Sequence, residues 1–101
     1  MSFRTETENI NDISLKKPKM FAVIMHNDDY TTMEFVVDIL IKIFKKNITE
    51  ATAIMLDIHQ RGSAVVSVYT YDIAVTKKAQ AASLASDKGF PLMLTVKEVA
   101  E

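Results

Sequence analysis

"MFAVIMHNDDYTTMEFVVDILIKIF", residues 20–44, sets the architecture of the chain. Its first six letters form a short apolar run with aromatic and β-branched residues, which predicts a buried strand over 20–25. A polar turn, His26-Asn27-Asp28-Asp29, follows. Thr31 and Glu34 then stand three apart, the spacing of a capping box in which each side chain satisfies a backbone donor at a helix start. Over the helix predicted for 33–44, nine of twelve residues are apolar. The three polar ones, Glu34, Asp38 and Lys42, recur every four residues on one narrow stripe. A surface helix needs only one apolar face. This helix must therefore pack against two layers, or lend part of its surface to a pocket or a partner.

Before this stretch, residues 1–17 have scattered apolar positions without a period and predict a mobile tail, with Pro18 marking the edge of the folded part. After it, "NITEATAIMLDIHQRG" (47–62) predicts a second helix, with Thr49 as its cap and Gly62 as its stop. On that helix Glu50, Asp57 and Arg61 share one side, while Met55 and His59 lie nearly opposite, beside Ala51 and Ile58. His59 is thus placed on an apolar side. "SAVVSVYTY" (63–71) predicts a strand, the Ala-rich 72–86 a third helix stopped by Gly89, and "PLMLTV" (91–96) a last strand. The order is β-α-α-β-α-β in one domain of 101 residues, an α+β arrangement.

Composition narrows the chemistry. The chain is 49% hydrophobic and 25% charged with formal net charge −1, so no general attraction to nucleic acid or anionic membrane is expected. It lacks cysteine, which excludes disulfides, thiolate nucleophiles and thiolate metal sites. Two glycines leave no Gly-rich phosphate loop. The first seventeen residues do not read as a secretory signal, and 33–44 is too short and too charged to span a bilayer. The expectation is a soluble, cytoplasmic protein without a cofactor.

The turn and the two helices can be read three ways. Asn and Asp are ordinary turn residues, and His59, Met33 and Met55 could each be core, which makes a purely structural domain. Alternatively, an antiparallel helix pair would return His59 towards the start of the first helix. Asn27, Asp28, Asp29 and His59 would then rim an apolar cavity floored by Met33, Val36, Met55 and Ile58. Such an acceptor-lined well suits a ligand with an ammonium head and a hydrophobic body. The third reading is a divalent metal held by His26, Asp28, Asp29 and His59, as in a metal-dependent hydrolase. It is disfavoured because adjacent aspartates on an extended segment point apart and no H-E-x-x-H pattern is present.

The quoted stretch, followed by "ATAIMLDIHQRG", closely resembles the ClpS adaptor family, with similarity running from about Pro18 to Val96. The resemblance implies a compact core over 18–101, with a three-stranded antiparallel sheet packed against three helices and a flexible N-terminal extension at 1–17. It implies no catalysis. It implies instead the binding of free N-termini that begin with Leu, Phe, Tyr or Trp, and their delivery to the AAA+ unfoldase of a Clp protease, ClpA or a relative. By that resemblance Asn27, Asp29 and His59 hold the α-ammonium, with Asp28 and Thr31 shaping the rim. Met33, Val36, Met55, Ile58 and Leu92 line the side-chain pocket, with Met33 the gatekeeper against β-branched first residues. Asp72 and Lys77 match positions that dock on the unfoldase. Thr32 replaces a common proline, Asp72 a usual Glu, and Val75 a frequent acidic residue.

Overall fold

The central strand, β1 (Met20–His26), takes the apolar run of the opening stretch and buries its Ala22, Val23 and Met25. It pairs antiparallel with β2 (Ser63–Thr70) on one edge and β3 (Met93–Glu98) on the other, giving the order β2-β1-β3. The computed structural model describes residues 17–100, so the extension expected at 1–17 lies, but for Lys17, outside the described residues. The strands begin and end within about two residues of the predicted limits. β3 starts at Met93 rather than Pro91 because proline has no N–H to give a ladder.

Side chains alternate across a strand, and one set meets the helices. Val23 and Met25 are fully buried there with Leu94 and Val66, while Val65, Val68 and Met93 are exposed. A bulge aids this division: Val23 faces Ser67 but Ile24 faces Val65, leaving Val66 as the extra residue turned into the core.

The first helix, α1 (Met33–Lys42), has Thr32 and not Thr31 as its cap. The Thr32 hydroxyl accepts the Phe35 N–H at 3.1 Å, and Glu34 makes no reciprocal bond, so the expected Thr31–Glu34 capping box is absent. Val36, Ile39 and Leu40 are buried, Phe35, Val37 and Ile41 half-buried, and the Glu34–Asp38–Lys42 side faces water, with Asp38 and Lys42 paired at 3.1 Å. The helix ends two residues earlier than predicted, and Phe44 continues into the core from the turn that follows.

Helix α2 (Ile48–Arg61) is capped by Asn47 rather than Thr49. Asn47 accepts the Glu50 N–H at 2.8 Å, and Glu50 accepts the Asn47 N–H at 3.1 Å, a reciprocal box that satisfies two orphan donors. Gly62 ends it in the left-handed region at φ 94°, where a side chain would be strained. Helix α3 (Tyr71–Asp87) lies across all three strands, and the small residues Ala74, Ala81 and Ala85, all but fully buried, allow the close approach. Lys77 donates from Nζ to the Ile43 carbonyl at 2.8 Å, placing a cation at the negative end of α1 and tying α3 to it. Observed order and sheet agree with the expected α+β arrangement.

Candidate functional site

Past the end of β1, the Asn27 N–H donates to the Gly62 carbonyl at 2.8 Å. That bond joins the polar turn to the C-terminal cap of α2, so His59, three residues before Gly62, comes beside the turn. The start of α1 and the end of α2 then face each other, as an antiparallel pair requires. Between them lies a cavity of about 380 Å³. Asn27, Asp28, Asp29, Thr31, Met33, Val36, Met55, Ile58 and His59 all line it. Val36 and Ile58, buried in the core, form its floor, while Asn27, Asp29 and His59 are exposed at its rim. Met33, 46% exposed, stands at the mouth.

Asp28 has a different task from its neighbours. Its Oδ1 accepts the Tyr30 N–H at 2.8 Å and the Thr31 N–H at 2.7 Å, and its Oδ2 accepts the Thr31 hydroxyl at 2.7 Å. Burial alone would raise its carboxyl pKa, but the bonds from Thr31 and Tyr30 outweigh that and hold it below the ordinary carboxylate value. Both oxygens thus accept bonds that shape the turn. The exposed acceptors are Asn27, Asp29 and His59.

Leu92 is placed elsewhere. It is buried in the core, does not line this cavity, and lines a separate shallow depression with Lys78 and Phe90. Asp72, exposed in the first turn of α3, and Lys77 do not line the cavity. Two lining residues, Tyr30 and Thr32, were not anticipated. The signal for Thr32 was the second threonine in "YTTME": once the Asp28 carboxylate claims the Thr31 hydroxyl, the next threonine is the one free to cap. Tyr30 sits inside the polar turn, and nothing in a sequence marks whether such a ring points outward or over a cavity.

The metal reading loses its ligand set. His26 bonds Thr95 Oγ1 through Nε2 at 2.9 Å, across β1 and β3, and does not line the cavity. Among the described residues no group of three or more His, Cys, Asp or Glu is placed to hold a metal ion. Nor, among them, is any helix long and apolar enough to cross a membrane.

Comparison with known proteins gives a consistent picture. Residues 16–95 match the family model for the ATP-dependent Clp protease adaptor protein ClpS. The ClpS adapter of Acetivibrio thermocellus is 52% identical over 91% of this chain and 93% of its own length. That of Clostridium acetobutylicum is 50% identical over 98% of this chain and its full length. Among solved structures, Agrobacterium tumefaciens ClpS2 bound to L-phenylalaninamide superposes with a TM-score of 0.80 at 41% identity, covering 82% of this chain and all of that one.

Proposed function

The chain belongs to the ClpS family of Clp protease adaptors, and from that premise we propose that it binds proteins by a free N-terminal Leu, Phe, Tyr or Trp and passes them to the AAA+ unfoldase of a Clp protease, ClpA or a relative. The observation that carries the reading is three exposed acceptors, Asn27, Asp29 and His59, on the rim of a cavity whose floor is apolar. The ligand of the Agrobacterium relative, L-phenylalaninamide, combines a free α-ammonium with a benzyl side chain, which is the chemistry this rim and floor would match.

An α-ammonium has three donors. Asn27 Oδ1, the Asp29 carboxylate and a His59 ring nitrogen supply three acceptors. Each charge-assisted bond contributes about 1.5–3 kcal/mol, and burial of a Leu- or Phe-sized side chain about 1.5–3 kcal/mol. Against an association cost of at least about 4 kcal/mol, the tightest outcome is about micromolar. That strength suits an adaptor, which must release its cargo. An internal or acetylated residue brings no charge and leaves the acceptors desolvated and unpaired, so it is refused.

Docking on the unfoldase is assigned to α3. Asp72 is exposed in its first turn, and neither Asp72 nor Lys77 lines the cavity, so cargo and unfoldase need not compete for one surface. The test is titration of a labelled Phe-initiated peptide against the protein and its Asn27→Ala and His59→Ala variants. Each variant is expected to lose about tenfold or more in affinity with an unchanged unfolding temperature. A purely structural domain would bind no peptide in any form.

A further inference from the structure

Tyr30 is 74% exposed, the most exposed large apolar residue among those described, and it also lines the cavity mouth. Singly exposed aromatic rings are ordinary on protein surfaces. This one differs in how its backbone is held. Its N–H is fixed to Asp28 Oδ1 at 2.8 Å, and the next residue, Thr31, is fixed to the same carboxylate by two bonds of 2.7 Å. The ring is therefore carried on a pinned turn at the edge of an apolar well, with little backbone freedom left to lose on contact. A tyrosine side chain has only two rotatable angles, so ordering the ring itself also costs little.

The cavity is small. At about 380 Å³ it lies at the small end of ligand pockets, which span roughly 300–1,000 Å³. If an N-terminal side chain fills it and the ammonium meets Asn27, Asp29 and His59, the second residue must lie outside, along the rim. The most exposed large apolar residue lining the cavity is Tyr30. Resting on the N-terminal binding reading, we infer that Tyr30 is a second recognition point, an aromatic platform for the side chain of residue two, with Asp28 as the positioning residue that holds it. The platform favours aromatic or bulky apolar second residues over glycine.

The experiment compares two labelled peptides that differ only at residue two, Phe-Trp and Phe-Gly, by fluorescence anisotropy on the full chain. With an aromatic contact of ordinary strength, Phe-Trp is expected to bind about three- to tenfold more tightly. Tyr30→Ala should bring that ratio to about one, and Tyr30→Phe should restore it, since the ring and not the hydroxyl makes the contact. A ratio near one in the unaltered protein, or a ratio untouched by Tyr30→Ala, overturns the inference while Phe-Gly binding upholds N-terminal recognition. Failure of both peptides to bind the unaltered protein overturns the N-terminal reading, and this inference with it.

Discussion

Asp28 is the side chain that holds the turn beside the cavity. Its carboxylate takes three donors from Tyr30 and Thr31, and those bonds require the charged form. Its folded pKa is lowered from the ordinary value, so its stabilisation is present above about pH 4 and is lost as the pH falls from there through the folded value. In urea unfolding, Asp28→Asn should therefore be less stable than the unaltered protein at pH 6, with the gap closing towards pH 3; a gap that widens in acid would contradict the assignment. Met33 carries a sharper prediction about selectivity. It is half-exposed at the cavity mouth, and we propose that its bulk is what excludes β-branched first residues. Met33→Ala should admit Ile- or Val-initiated peptides at affinities within about tenfold of Leu, and continued refusal would remove the gatekeeper role. At this scale residue type was legible but partnership was not: the sequence distinguishes an aspartate from an asparagine, yet not which of two adjacent aspartates turns inward.

At the scale of elements, helix starts were located to within a residue or two but their caps were misread twice, for one reason. A pattern such as Thr31-x-x-Glu34 names a frame, and two frames compete wherever capping residues are adjacent. Thr31 lost to Thr32 because Asp28 had taken its hydroxyl, and Thr49 lost to Asn47 because Asn47 and Glu50 satisfy each other. Asn47→Ala should accordingly cost about 1 kcal/mol in chemical unfolding, and Thr49→Ala a few tenths at most. The reverse ranking would mean that α2 begins elsewhere in solution. The length of α1 was overread for a related reason. Ile43 and Phe44 continue its apolar run, but Phe44 reaches the core from a turn, and periodicity records burial without recording hydrogen bonds.

Across the whole molecule, the order β-α-α-β-α-β and the nearly all-round apolar character of α1 were both readable, and the second has a structural cause. α1 buries Val36, Ile39 and Leu40 in the core and leaves Met33 at the cavity. The cavity lies where β1 and β2 end: beyond the His26–Ser63 pair, Asn27 bonds the Gly62 carbonyl, and the turn and the end of α2 come together. Leu92 was expected at the same cavity but lines a separate depression with Lys78 and Phe90, a long-range placement that no local pattern encodes. All of this bears on one claim, that the rim reads a charged N-terminus. The most direct measurement is the affinity of a labelled Phe-initiated peptide and of its N-acetylated twin, by fluorescence anisotropy, each with and without a chelator. The free peptide is expected to bind at about micromolar strength, the acetylated one roughly a hundredfold more weakly, and the chelator to change neither. Equal affinity for the two peptides, or binding abolished by the chelator, would contradict recognition of the ammonium by Asn27, Asp29 and His59.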